Sequence, residues 1–256
     1  MSSWFIVSHK RSPDRTPGLT LFAFSYAGRG ASLYFPWRAA LPDWIDLVAV
    51  QLPGREGRIA EPALDRLETA VAALVTEITP LLDRPYAFFG HSMGALLCYE
   101  LACALARKQA PPPVALALSG RRAPTTTDDD PLLHVMPDDD FIATMRTRYD
   151  GIPQAVLDEP ALLRLALPTL RRDIELIETH VPYAHPPLRA PFVLYGGEND
   201  PQTPVASLAA WRPLTTRDAP LKQFPGGHFY LQSQQGPLLD DLTRQLAHFL
   251  SAGARG

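Results

Sequence analysis

Short apolar runs alternate along the chain with longer stretches in which apolar positions recur every three or four residues. Leu19–Phe24 (LTLFAF), Asp46–Val50 (DLVAV), Tyr86–Phe89, Val114–Leu118, Phe192–Tyr195 and Leu221–Phe224 have the length and bounding turns of strands. Leu64–Leu82 places Leu64, Leu67, Val71, Leu74, Val75 and Ile78 at helical spacing, and Pro80 and Pro85 close it. Ala95–Lys108 is rich in Ala and Leu, the best helix formers, and Leu238–Leu250 sets Leu239, Leu242, Leu246 and Leu250 on one stripe. Strands alternating with helices predict βαβ units and a mainly parallel sheet flanked by helices.

One stretch breaks the alternation. Arg121 to His185 carries no strand pattern. It opens with a polar segment, Thr125–Asp130, and continues with helical patterns at Asp138–Arg148 and Pro160–Thr179. The second spaces Leu163, Leu167, Leu170, Ile174 and Ile177 three or four apart. An all-helical insertion between two strands is a candidate lid, residues 121–185. No internal repeat and no second core pattern appear, so residues 1–256 are expected to form one α/β domain.

Composition narrows the function classes. With 256 residues, 46% apolar and 20% charged, the chain can bury a large core and is not a disordered protein. A net charge of −3 without a basic block argues against nucleic acid. The apolar run Trp4–Val7 precedes His9, Lys10 and Arg11, the reverse of a signal peptide, and no run approaches the ~20 residues of a membrane helix. Cys98 and Cys103, five apart in one expected helix, face different ways and read as buried thiols; sparse cysteine favours a reducing compartment. A cytoplasmic protein is expected.

The chemistry concentrates where Tyr86–Phe89 meets the helix after it. Gly90-His91-Ser92-Met93-Gly94 is Gly-X-Ser-X-Gly in a strand–turn–helix setting, which a nucleophile elbow requires. The tight turn leaves no room for side chains two residues either side of the serine, hence the glycines. The helix N-terminus turns its free N–H groups toward the reacting centre, where they favour developing negative charge. Serine needs a base, and in this arrangement the order is Ser, acid, His. Among seven histidines, His9 precedes the elbow, His91 lies in it, and His134, His180 and His185 fall in the insertion. Of the two that follow the last strands, His248 sits on a helical stripe, whereas His228 follows Pro225-Gly226-Gly227 in a turn. His228 is the candidate base. Asp200, just past the strand Phe192–Tyr195, is the candidate acid, with Glu198 two residues away and Asp128 after the preceding strand as alternatives. The backbone N–H groups of Met93 and Ala27 are the candidate oxyanion-hole donors, Ala27 lying in the loop after Leu19–Phe24. Together these residues describe a serine hydrolase of the α/β-hydrolase type.

Seven motifs in register carry a resemblance. They are Tyr26-Ala27-Gly28, Gln51 to Glu56 (QLPGRE), Gly90 to Gly94 (GHSMG), Ser119 to Pro124, Leu167 to Asp173, Gly196 to Asp200 and Gly226 to Phe229. From about Leu19 to the C-terminus the chain resembles the type II thioesterases that accompany polyketide synthases and nonribosomal peptide synthetases. The resemblance implies hydrolysis of acyl thioesters from the phosphopantetheine arm of acyl or peptidyl carrier proteins, to clear stalled or aberrant groups. Ser92 would be acylated, His228 would shuttle the proton and Asp200 would orient it. It implies gating by the insertion, a monomer, and no metal or cofactor beyond the substrate's own arm. Arg29 stands where that family usually has a second glycine. Arg55 and Glu56 read as a surface ion pair. A small-molecule carboxylesterase or an acyltransferase would use the same triad.

Overall fold

The computed structural model describes residues 3–7, 18–126, 130–149 and 159–253. Seven strands form one sheet: β1 (Phe5–Val7), β2 (Leu19–Phe24), β3 (Ile45–Val50), β4 (Tyr86–His91), β5 (Leu116–Ser119), β6 (Phe192–Gly197) and β7 (Leu221–Phe224). Their order is β1-β3-β2-β4-β5-β6-β7, with β1 antiparallel to β3 and every other pair parallel. β2 and β4 are buried along their whole length, as parallel strands covered on both faces must be. The period-two alternation of a strand sorts their side chains onto two faces. Phe22, Phe24, Phe88, Leu116 and Leu194 pack on one side, with α2 (Leu67–Ile78) and α3 (Met93–Arg107). Leu21, Ala23, Ala87, Phe89, Ala117 and Val193 pack on the other, with α1 (Trp37–Ala40) and α8 (Gln235–Gly253).

The strand order positions the site. The chain runs outward from β2 to β3, then crosses back to place β4 on the other side of β2. Loops leaving the C-terminal ends of β2 and β4 therefore diverge and open a crevice between them, where ligands bind in open α/β sheets. The Ser25–Gly30 loop and Ser92 sit at those two ends.

Between β5 and β6 the chain forms α4 (Asp138–Tyr149) and α5 (Pro160–Glu178). They share a small apolar cluster of Leu133, Phe141, Met145, Leu167, Leu170 and Ile174, and Ala27 and Ile177 pack against both this cluster and the main core. Among the described residues the other α-helices are short: α6 (Val205–Ala209) and α7 (Tyr230–Ser233). The run Trp4–Val7, read from sequence only as a poor signal segment, holds an edge strand instead, with Phe5 opposite Val50 and Val7 opposite Val48. Three residues are too few for periodicity to show. Cys98 and Cys103 are buried and unbridged, and burial pushes the Cys103 thiol up to about 12. Among the described residues no helix is long and apolar enough to cross a membrane.

Candidate active site

β4 ends at His91 and α3 begins at Met93, so a single residue, Ser92, makes the turn. Its φ of 54° and ψ of −113° lie outside the regions that L residues favour. The turn is held by its surroundings. Ser92 N–H donates to the Ser119 carbonyl at 2.8 Å. A Cβ at Gly90 would collide with the Gly94 carbonyl, and one at Gly94 with the Phe24 carbonyl. Both glycines are thus demanded by backbone against backbone. Met93, as the first helical residue, has an N–H without an intrahelical acceptor.

The loops after β6 and β7 are laced together by Glu198 N–H to Phe224 O and Asn199 N–H to Gly226 O, both 2.9 Å. That lacing brings Asp200 to His228. His228 Nδ1 donates to Asp200 Oδ2 at 2.7 Å, and both residues are buried. The bond selects the tautomer whose Nε2 carries a free lone pair. Asp200 also accepts from Thr203 Oγ1 at 2.6 Å and from Gln202 N–H at 2.9 Å. Burial raises the Asp200 carboxyl, but the bonds from His228, Thr203 and Gln202 outweigh it and hold the pKa below its ordinary value. The carboxylate stays ionised.

Ser92, His228 and Ala27 line one cavity of about 500 Å³. Ser92 and His228 make no hydrogen bond to each other in this state, a bond that often tightens only around substrate. Tyr149, the last residue of α4, sets its ring edge-on to His228 at 5.2 Å. His91 lies behind, 5.1 Å from the His228 ring. Its Nδ1 meets Ser119 Oγ at 2.8 Å, and Ser119 Oγ meets Tyr230 OH at 2.6 Å. Burial first, then the nearby His228 charge, pushes the His91 pKa well down, so its ring stays neutral.

The loop after β2 folds as a turn, with Arg29 N–H on the Tyr26 carbonyl at 3.1 Å and Gly28 at φ 77°. Glycine at the third place is what a type II turn requires. No acceptor among the described residues takes the Ala27 N–H.

Residues 19–246 match the family model of the thioesterase domain. The chain belongs to the thioesterase domain family. Gramicidin S biosynthesis protein GrsT of Aneurinibacillus migulanus is 36% identical over 246 residues, covering 96% of this chain and 94% of that one. Thioesterase PikA5 of Streptomyces venezuelae is 34% identical over 235 residues, covering 91% and 83%. Among solved structures, the type II thioesterase BorB from the borrelidin biosynthetic cluster superposes with a TM-score of 0.84 at 30% identity, covering 96% and 97%.

The geometry of this thioesterase sorts the other sequence-derived candidates. Glu198 is exposed and Asp200 buried, while Asp128 lies outside the described residues. His248 sits on α8 against Phe249. His185 is paired with Glu100 at 2.9 Å, and His134 with Glu178 at 2.6 Å. The reading of Arg55 and Glu56 as a surface ion pair is corrected. Arg55 is 4% exposed and forks onto Asp173 of α5, which is fully buried, through Nη1–Oδ2 at 2.6 Å and Nη2–Oδ1 at 2.7 Å. Glu56 instead accepts from Ser32 Oγ at 2.5 Å. The reason is local. Gln51 Nε2 holds the Arg55 carbonyl at 2.9 Å, turning the guanidinium inward. Arg29 is exposed and stands outside the cavity lining. Sequence reasoning missed Thr203 and Tyr149; only the Asp-X-X-Thr spacing of a turn hinted at Thr203.

Proposed function

We propose that this thioesterase hydrolyses acyl groups from the phosphopantetheine arm of acyl or peptidyl carrier proteins, clearing stalled or aberrant units in polyketide and nonribosomal peptide assembly. The observation that carries the reading is His228, paired with buried Asp200, lining one cavity with Ser92 in its strained elbow, in a chain whose relatives include a gramicidin S biosynthesis protein and the thioesterase PikA5.

Ser92 Oγ attacks the thioester carbonyl carbon while its proton passes to His228 Nε2. Asp200 holds the imidazolium that results. The Ala27 and Met93 N–H groups receive the oxyanion. Collapse breaks the C–S bond, and His228 returns the proton to the departing sulfur. A thiol with pKa of about 8.5 leaves more readily than an alkoxide. Water, deprotonated by His228, then attacks acyl-Ser92, releasing the free acid and restoring Ser92. The phosphopantetheine belongs to the substrate, and every group named here comes from one chain, so a monomer without metal or cofactor suffices. The cytoplasm is the compartment that suits its partners and its two buried thiols.

Mass-spectrometric hydrolysis of an acetylated holo carrier protein tests the proposal, with wild type and Ser92→Ala in parallel. Release by wild type, faster than from a soluble acetyl thioester, and none by a folded Ser92→Ala is the expected outcome. Activity on small esters with no release from the carrier would leave a plain esterase. A new acyl conjugate in place of free acid would make it an acyltransferase.

A further inference from the structure

We propose that Asp173 is a positioning residue for the reaction: its carboxylate, held by Arg55, fixes the Ala27–Gly28 peptide and so ties the oxyanion loop to helix α5. This deepens the serine-hydrolase reading of the site and depends on it.

Asp173 Oδ2 accepts from Gly28 N–H at 2.7 Å while also accepting from Arg55 Nη1 at 2.6 Å; Oδ1 takes Arg55 Nη2. The same guanidinium donates to the Arg29 carbonyl at 3.3 Å and, through Nε and Nη2, to the Pro53 carbonyl at 3.3 Å. One buried pair therefore grips the loop at Gly28 and at Arg29, one and two residues past the proposed donor. Gly28 N–H and the Ala27 carbonyl belong to one planar peptide. Fixing that peptide fixes the second flank of Ala27. The turn bond from Arg29 to Tyr26 and the Ser25 Oγ bond to the Arg29 carbonyl at 2.7 Å fix the rest. The ionised carboxylate also gives Gly28 N–H a charge-assisted acceptor, stronger than a neutral one. A second link holds the same helix in place. Thr169 Oγ1, one turn earlier on α5, donates to the Gly54 carbonyl at 2.6 Å.

The alternative is a purely structural ion pair, and two variants separate the two. Asp173→Asn keeps the shape but loses the charge that lets one carboxylate serve Gly28 and Arg55 together. Arg55→Met with Asp173→Leu removes the pair altogether; apolar replacement of a buried pair often leaves a protein as stable as before. Each is assayed on a soluble acetyl thioester well below its unfolding temperature. Each is also titrated with a trifluoromethyl ketone, which forms an oxyanion on Ser92, and with an unreactive thioether of the same shape. Positioning predicts a kcat lowered roughly ten- to a hundredfold with KM little changed, below the full loss of one donor. It predicts the same loss in ketone affinity, with thioether affinity unchanged, in both variants. A double variant with wild-type stability, kcat and ketone affinity would overturn the proposal. So would failure of both variants to fold, since a pair the fold cannot do without is structural. Fluorophosphonate labelling of wild type keeps the two levels apart. An unlabelled Ser92 sinks the reading of the site itself, and a labelled one beside an unaffected double variant sinks this inference alone.

Discussion

Gly94 is the residue on which the elbow turns most tightly, because the atom its Cβ would strike is a main-chain carbonyl that no rotamer change can move. Gly94→Ala should cost about 3 kcal/mol or more, the upper range for overpacking, and lower the melting temperature by roughly 10 °C for a chain of this size. Gly236→Ala, where nothing lies within 4 Å, is the control and should melt no lower than wild type. Equal melting of the two variants would show that the elbow can relax. The glycines and Ser92 were legible because their constraint is local, written within five residues. His228 and Asp200 were legible through chain order. Arg55 was not, because its partner is 118 residues away and a surface pair is the commoner fate of an Arg beside a Glu. Thr203 escaped notice because its one signal, the Asp-X-X-Thr spacing from Asp200, marks a turn and not a catalytic partner.

At the scale of elements, periodicity located the described strands and long helices apart from β1, and missed mainly at their ends. α3 begins at Met93 rather than Ala95, since glycine and methionine at a helix start carry no apolar period. β5 is bounded at Leu116 rather than Val114, although Val114 N–H already donates to the Tyr86 carbonyl at 2.7 Å. What periodicity cannot give is which side chains α4 and α5 present to the cavity, a matter of long-range contacts. α4 supplies Met145 and Tyr149 to the cavity wall, and α5 supplies Ile174 and Ile177. These side chains bound the space left for an acyl chain. Ile177→Trp should remove room for about two methylenes, each worth about 0.8 kcal/mol of burial. The ratio of kcat/KM for an octanoyl over an acetyl thioester should then fall roughly tenfold. An unchanged ratio would mean the chain leaves the cavity by another wall.

Over the whole molecule, acid should loosen the fold in two stages. His91 is neutral in the folded state with its pKa pushed well down, while in the unfolded chain it titrates near about 6.5. Between those values the unfolded state binds the extra proton, so stability falls as pH drops, by up to about 1.4 kcal/mol per unit. Asp200 acts in the same sense at lower pH. Its folded pKa is depressed, so the stability it contributes is present above about 3.9 and lost as pH falls toward the folded value. Melting temperatures from pH 7 to 5 should decline, and His91→Gln should decline less steeply; parallel curves would exonerate His91. The two halves of the cavity differ in another way. The wall that holds Ser92 is set by main chain meeting main chain, where even one added methyl group finds no space. Another part of the lining consists of side chains on α4 and α5, among them Met145, Tyr149, Ile174 and Ile177, whose backbones lie outside the sheet. Descendants of such a chain can drift from one acyl cargo to another by single substitutions while inheriting the reaction unchanged: the chemistry is a fixed inheritance, and the diet is free to evolve.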